Sequence, residues 1–259
     1  MKISVITLFP EMIFGFLNES ILKRAQEKKL VEIEVVNLRD FATDAHGTVD
    51  DRPYGGGAGM VMKVDVLSRA VRTLQRSKVR GQRSKQKTIL TSAKGQTYSQ
   101  TKAIELSQLD HIIIVAGHYE GVDERILGEI DDEISIGEYV LTGGEIPAAV
   151  IIDSVVRLIP GVLKKNTATQ EESFYLVAVD ELISIVGKTK ELVNLQSNSI
   201  DAVKLLEYPQ YTRPELFNGK KVPEELLSGD HQKIRDYRLK KSYEETKTKR
   251  PDLLDIKKE

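Results

Sequence analysis

The chain of 259 residues contains no cysteine. That excludes disulfide bonds, zinc sites built on thiolates and a cysteine nucleophile, and it fits a reducing cytoplasm. The chain also has no large excess of positive or negative charge, because 38 basic and 39 acidic side chains leave a formal net charge of −1. Any surface for nucleic acid must therefore be a local patch. No apolar run is long enough to span a membrane, and Pro10 and Glu11 interrupt the apolar N-terminus, so we expect no signal peptide.

Two common nucleotide-binding motifs are absent where they would be expected. The first strand-to-helix turn, Phe9 to Met12, lacks the Gly-x-Gly-x-x-Gly of dinucleotide-binding folds. The glycine-rich stretch Tyr54 to Met60 ends without Gly-Lys-Ser/Thr, so it is not a Walker A loop. It closes a long predicted loop over residues 40–60, and loops of such length within a domain are usually functional. A flexible surface loop is the alternative interpretation.

What is present predicts an α/β fold. Lys2 to Leu8 and Val31 to Leu38 have the composition of strands, and Glu11 to Leu30 has the apolar spacing of a helix. Strand, helix and strand in this order favour a parallel sheet. The run His111 to Ala116 is almost continuously apolar, as in buried parallel strands. A short strand is predicted at 88–90, and helices over 64–74, 99–109, 145–159, 179–194 with a break at Gly187, and 230–249 with Asp230 as N-cap.

Two stretches are candidates for a binding site. Ser135 to Glu145 places three glycines in an apolar run, which favours a close backbone approach to a ligand, or else a tight turn between core elements. It leads into the helix that begins at Glu145 with Pro147 in its first turn. Gly117 to Arg125 follows the buried strand, and ligands of open α/β sheets bind beyond the carboxyl ends of strands.

Two segments are rich in lysine and arginine: Arg72 to Lys87 and the predicted helix 230–249. Either could contact a phosphate backbone, although a solvated charged surface is the more common explanation. Between them, Leu163 to Ser173 has the polar composition of a linker. A second, small helical domain is therefore predicted after it.

Five stretches together carry a resemblance to a known family, in the family's order and over almost the whole chain: Leu8 to Met12, Asp50 to Gly57, Gly117 to Gly121, Ser135 to Glu145, and Tyr211 to Pro214 with Leu226 to Gly229. The chain resembles the bacterial tRNA (guanine-N1)-methyltransferases of the TrmD family, in the knotted SPOUT superfamily. The resemblance implies a parallel α/β sheet with a deep trefoil knot, which periodicity does not reveal. It implies a knotted catalytic domain over 1–162, a linker with an insertion over 163–207, and a helical tRNA-binding domain over 208–259.

The function implied is transfer of a methyl group from S-adenosylmethionine to N1 of guanosine 37, next to the anticodon of tRNA. The resemblance also implies a cytoplasmic homodimer, without a membrane, whose active site lies at the subunit interface. Family members depend on Mg²⁺, so this ion is a candidate, with Glu120 nearest the donor; no metal-ligand spacing is present. The alternatives are a knotted methyltransferase for another RNA and a non-catalytic RNA-binding protein.

The resemblance assigns the donor site to three loops, 91–95, 117–121 and 136–144. Gly117, Tyr119 and Glu120 would line the methionine end. Backbone atoms around Ile136, Gly137, Tyr139 and Leu141 would hold adenine and ribose, and Gly143, Gly144 and Pro147 would close the pocket. The complete expected set of donor-binding residues is Ser92, Gly117, Tyr119, Glu120, Ile136, Gly137, Glu138, Tyr139, Val140, Leu141, Gly143, Gly144 and Pro147.

Two residues are expected to be catalytic by the same resemblance. Glu172, before Ser173, stands where the family has an aspartate that removes the N1 proton, and Glu171 is the neighbouring alternative. Arg157 matches an arginine required near the transferred group; a surface pair with Asp153 is the other explanation. The family also lacks the insertion between Phe174 and Tyr208, for which a helical lid, a partner site and a disordered spacer are all open.

Overall fold

A computed structural model describes residues 1–76, 85–164 and 172–255 of the chain. The chain forms two compact units, Met1–Asn166 and Thr167–Glu259. No helix among the described residues has the length and apolar character needed to cross a membrane.

The first unit is built on a five-stranded parallel sheet, which confirms the predicted α/β class. The strands of this unit are β1 (Lys2–Thr7), β2 (Glu32–Asn37), β3 (Asp50–Asp51), β4 (Val61–Met62), β5 (Gln86–Thr97), β6 (His111–Ala116) and β7 (Asp132–Ser135). The sheet order is β2-β1-β6-β5-β7, and β3 and β4 form a separate antiparallel pair.

Helices cover both faces of the sheet: α1 (Glu11–Leu17), α2 (Ser20–Glu27), α3 (Val64–Arg76), α4 (Gln100–Ser107) and α5 (Glu145–Val156). Successive side chains of β6 point to opposite faces of the sheet, so this strand packs against the helices on both faces. Ile112 and Ile114 pack in the cluster with α1, α2, α4 and α5, whereas Ile113 and Val115 pack in the cluster with α3. Burial on both faces accounts for the continuous apolar run of this strand.

Two elements of this unit differ from their sequence-based predictions. The single helix expected over 11–30 is divided into α1 and α2, and Ser20, the first residue of α2, has a φ of +51°. The short strand expected at 88–90 is instead the long β5, whose pairing with β7 shifts register between Thr91 and Gln96. A Cβ atom at Gly95 would lie 2.5 Å from the backbone of Glu133, so glycine permits the two strands to approach.

The second unit combines short strands with helices. Its elements are β8 (Tyr175–Ala178), α6 (Val179–Val186), α7 (Lys190–Ser197), β9 (Ala202–Leu205), β10 (Leu216–Phe217), β11 (Lys220–Lys221), α8 (Glu224–Leu227) and α9 (His231–Lys249). The break at Gly187 is confirmed, with a φ of +81° after α6. The predicted N-cap is confirmed too, because the Asp230 carboxylate accepts hydrogen bonds from the backbone N–H groups of Gln232 and Lys233.

The insertion between Phe174 and Tyr208 is folded. β8 and β9 pair antiparallel, and Leu182 and Leu192 are fully buried with Leu239 and Tyr243 of α9 in one core. The resemblance implies a linker with an insertion over 163–207, and within it residues 175–205 belong to the core of the second unit, so the disordered-spacer interpretation does not fit them. The catalytic role of residues 1–162, the linker role of 163–207 and the tRNA-binding role of 208–259 stay predictions.

Candidate functional site

A pocket of about 290 Å³ opens where β5 shifts register and where β6 and β7 end. Four stretches form its walls, Leu90 to Lys94, Gly117 to Val122, Glu133 to Gly137 and Tyr139 to Gly144, together with Glu124, Leu127 and Pro147. The pocket therefore lies beyond the carboxyl ends of neighbouring parallel strands, where open α/β sheets bind ligands.

The pocket brings together the residues that the sequence analysis selected for the donor, with one exception. Glu138 does not line it. The residues that do are Ser92, Gly117, Tyr119, Glu120, Ile136, Gly137, Tyr139, Val140, Leu141, Gly143, Gly144 and Pro147. Sequence spacing alone could not have joined these stretches, because the sheet order decides which strand ends are neighbours.

Thr91 connects the three loops at the floor of the pocket. Its hydroxyl accepts a hydrogen bond from the Gly117 N–H at 3.3 Å and donates to the Val115 carbonyl at 3.2 Å. The Gly144 N–H in turn donates to the Gly117 carbonyl at 2.7 Å. A backbone bridge also joins His118 to Gly143. The loops therefore hold each other through their backbones, which leaves little freedom for larger residues.

The glycines of the pocket are required by close contacts. A Cβ atom at Gly144 would lie 2.1 Å from the Thr91 hydroxyl oxygen, and one at Gly137 would lie 2.4 Å from the Tyr139 ring. Tyr119 adopts a φ of +59°, a conformation that costs a non-glycine residue about 1 kcal/mol or more. Such strain is typical of functional loops.

The glycine-rich loop over 54–60 packs against the same site. The Glu120 N–H donates to the Met60 carbonyl at 3.0 Å, and the Met62 N–H donates to the Gly121 carbonyl at 3.0 Å. A Cβ atom at Gly59, where φ is +86°, would lie 2.4 Å from a carboxylate oxygen of Glu120. The loop thus supports the wall of the pocket that carries Glu120. Tyr54, at the start of the loop, is fully exposed.

Three polar residues around the pocket were not selected from the sequence. Thr7 donates a hydrogen bond of 2.7 Å to Glu145, which is 1% exposed, and the second carboxylate oxygen of Glu145 lies 3.6 Å from Nε2 of His118. Thr7 and Glu145 are 138 positions apart in the chain, so no spacing pattern indicates their contact. His118 lies within the predicted loop 117–121 but is not among the expected donor-binding residues, and it lines the pocket.

The two expected catalytic residues are not among those that line the pocket. Arg157 follows the last residue of α5, a helix whose other end carries Glu145. With a rise of about 1.5 Å per residue, roughly 18 Å separate the two ends. Glu172 belongs to the second unit, as the first residue described there, and Glu171 lies outside the described residues.

The basic segment Arg72 to Lys87 is partly neutralised within the first unit. Arg72 pairs with Glu129 at 2.8 Å. Hydrogen bonds to Glu105 and then Asp132 raise the pKa of Lys87 well above its usual value. Lys78, Arg80 and Arg83 lie outside the described residues. The part of this segment that the structure describes therefore offers less free positive charge than the sequence suggests.

No group of three or more His, Asp or Glu side chains in 1–76, 85–164 and 172–255 is arranged to hold a metal ion. Glu120 lines the pocket, but a magnesium site there stays a prediction.

A family model and several curated proteins match this chain over nearly its whole length. A family model described as tRNA (Guanine-1)-methyltransferase TrmD matches residues 1–256. A tRNA (guanine-N(1)-)-methyltransferase of Dictyoglomus turgidum is 48% identical over 255 residues, which cover 98% of this chain and 90% of the relative. A protein of the same name from Carboxydothermus hydrogenoformans is 47% identical over 99% of this chain and 88% of its own length. Another, from Brevibacillus brevis, is 48% identical over 98% of this chain and 92% of its own length.

Proposed function

Because the chain belongs to the TrmD family of tRNA (guanine-1)-methyltransferases, we propose that it transfers the methyl group of S-adenosylmethionine to N1 of guanosine 37 in tRNA. The observation that carries the proposal is the convergence of the expected donor residues on one pocket, in a chain that matches the family from residue 1 to residue 256. The proposals below on the trefoil knot, the homodimer and the general base Glu172 rest on this proposed function.

The pocket has the properties that the donor needs. Its walls combine glycine backbone, which offers N–H and C=O groups at close range, with apolar side chains such as Ile136 and Leu141 that suit the adenine ring. The absence of side chains at Gly143 and Gly144 lets the pocket loops pack closely, because a Cβ atom at either position would displace neighbouring atoms. The bound donor supplies an electrophilic methyl group; the chain supplies its position.

We further propose that the loops 91–95, 117–121 and 136–144 form the trefoil knot of the family. Their mutual hydrogen bonds through Thr91, Gly117 and Gly144 support a tight arrangement of this kind. A knot of this sort would explain why the pocket depends on backbone contacts between segments far apart in sequence.

Glu172 is the proposed general base. N1 of guanine carries a proton, and a carboxylate within hydrogen-bond reach can accept it while the N1 lone pair forms the bond to the methyl carbon. The bond between the methyl carbon and sulfur breaks, and its electron pair stays on sulfur as a neutral thioether. Glutamate can perform this step in place of aspartate because both supply a carboxylate oxygen.

The active unit is proposed to be a homodimer. Arg157 lies roughly 18 Å along α5 from the pocket end of the same helix, so an arginine near the transferred methyl group would come from the partner subunit. Large apolar side chains on α1 and α5 support an interface with a second copy. Met12, Phe16, Ile146 and Val150 are between 38% and 53% exposed.

The second unit is the proposed tRNA-binding part. α9 carries Lys233, Lys240 and Lys249 among its basic residues, and Arg238 lies over the Tyr208 ring at 4.7 Å. Positive side chains on one helix suit the phosphate backbone, so we expect tRNA affinity to fall steeply with salt. We also propose that the protein acts in the cytoplasm, where its tRNA substrate is found.

The decisive experiment uses S-adenosylmethionine with a labelled methyl group and two unmodified tRNA transcripts that differ only at position 37. Label on the guanosine transcript and none on the adenosine transcript is the expected result. Label on both would move the target to another nucleotide. Label on neither, with donor binding retained, would favour another RNA substrate or a non-catalytic RNA-binding protein.

A further inference from the structure

A buried carboxylate stands directly behind the wall of the pocket. Glu145 begins α5 and is 1% exposed. One of its oxygens accepts a hydrogen bond of 2.7 Å from Thr7, whose own hydroxyl accepts the Phe9 N–H at 2.9 Å. The other oxygen has no hydrogen-bond partner among the described residues and lies 3.6 Å from Nε2 of His118.

An unsatisfied carboxylate oxygen in such surroundings is costly, and an amide or a hydrocarbon side chain could fill the same volume. Two features favour the charged form despite this cost. The Thr7 hydroxyl donates to it, and Glu145 lies in the first turn of α5, where the helix dipole is positive. One oxygen of this buried carboxylate is therefore left for an interaction that the described residues do not complete.

Two residues that line the pocket lie next to this oxygen, Gly143 and His118. A Cβ atom at position 143 would lie 2.5 Å from both the Glu145 oxygen and His118 Nε2. Both Gly143 and His118 line the pocket. Because Glu145 is buried, its interaction with a charge in the pocket is screened less than that of an exposed side chain.

We propose that Glu145 makes the pocket selective for charge, so that it favours the positively charged methyl donor over the neutral product. The inference rests on the proposed function, in which S-adenosylmethionine binds this pocket. The sulfur of the donor is a sulfonium cation, whereas the sulfur of S-adenosylhomocysteine is an uncharged thioether. A fixed negative charge stabilises the sulfonium and not the thioether, so it raises the affinity for the donor relative to the product.

The other acidic side chains of the pocket are less suited to this role. Glu120 and Glu124 are exposed, and Glu133 is half-buried. Water and salt screen exposed charges strongly. Glu124 also lies 3.9 Å from Lys94, whose charge opposes it. Glu145 is the fully buried acid beside this pocket, and His118 is the titratable group facing its free oxygen.

The test is a comparison of dissociation constants by calorimetry for wild type and Glu145→Gln, which keeps the shape and removes the charge. The ligands are S-adenosylmethionine, S-adenosylhomocysteine and an amine analogue in which an ammonium-bearing carbon replaces the sulfonium. We expect Glu145→Gln to weaken both cations about tenfold and to change the affinity for the thioether less than about twofold. Glu145→Asp should largely keep the wild-type preference, and Glu27→Gln, at an exposed acid of α2 that does not line the pocket, is the control, with an unchanged ratio.

Equal weakening of all three ligands would show a purely structural role and overturn the inference. If Glu145→Gln does not fold by circular dichroism, the wild type still decides the matter, because equal affinity for the amine analogue and the thioether contradicts charge selectivity. Failure of the wild type to bind any of the three would instead overturn the proposed function.

Discussion

The hydroxyl oxygen of Thr91 lies 3.5 Å from the carbonyl oxygen of Gly144, and a Cβ atom at position 144 would lie 2.1 Å from that hydroxyl. The contact joins the irregular part of β5 to the residue that precedes α5. Position 144 therefore tolerates no side chain unless the floor of the pocket moves.

Gly144→Ala should weaken binding of S-adenosylmethionine at least about tenfold, since a shift of the Thr91 contact disturbs a site that needs close positioning. Calorimetric titration of the donor measures the effect. Gly128→Ala is the control, because a Cβ atom there meets nothing within 4 Å. An unchanged dissociation constant for Gly144→Ala would show that the floor is not part of the donor site.

Glu172→Gln should lower kcat by about 10²- to 10⁴-fold, because the amide cannot accept the N1 proton. The donor dissociation constant should stay within about twofold of wild type, because the change removes proton transfer and not donor contacts. Single-turnover methyl transfer separates the two quantities. Glu171→Gln distinguishes the neighbours: a loss of kcat in that variant with normal turnover in Glu172→Gln would transfer the role to Glu171.

A mixture of two inactive variants tests the shared active site. At a donor concentration near the wild-type dissociation constant, Gly144→Ala should leave the donor pocket largely empty, and Arg157→Ala removes the arginine supplied to the partner subunit. When both chains are co-expressed with different tags, the heterodimer contains one site with an intact pocket and an intact arginine. We therefore expect purified heterodimer to recover methyl transfer that neither homodimer has. An inactive heterodimer would place pocket and arginine in the same subunit.

Leu182→Ala should destabilise the second unit by about 2–5 kcal/mol, because Leu182 is fully buried in the core formed by the insertion and α9. Leu176→Ala, at a side chain that is 68% exposed, should change the free energy of unfolding by less than about 0.5 kcal/mol. Urea denaturation of the full chain measures both. Equal effects would mean that the insertion does not contribute to this core.

Acid should weaken the contact between the insertion and α9. Lys247 lies 2.7 Å from Glu191 and lowers the pKa of that carboxyl from 4.5 to about 2. Because the folded value is the lower one, the stabilisation is present above about pH 4.5 and is lost as the pH falls toward 2. Both side chains are partly exposed, so the effect is small.

Thermal melts at pH 6 and pH 3 measure this effect. We expect Glu191→Gln to lower the melting temperature more at pH 6 than at pH 3. In a Lys247→Met background the difference between the two pH values should shrink, because only the backbone and Thr189 hydrogen bonds then lower the pKa of Glu191. A difference of undiminished size without Lys247 would assign the pH dependence to another group.

Local patterns in the sequence were sufficient for most of the elements. The apolar run His111 to Ala116 is a strand with those bounds, the break at Gly187 is present, and Asp230 caps α9. These features depend on neighbours in the chain, such as glycine conformation and capping side chains. Family motifs went further, because they identified the loops that line the pocket before the sheet order was known.

The sequence by itself determined the α/β class, the family and the three pocket loops. Only the tertiary structure decided what lies behind those loops, because the contact of Thr7 with Glu145 depends on which strand ends are neighbours in the sheet. It also decided that residues 175–205 form a core with α9, since burial depends on partners distant in the chain. Periodicity reports which side of an element is apolar; it does not report what covers that side.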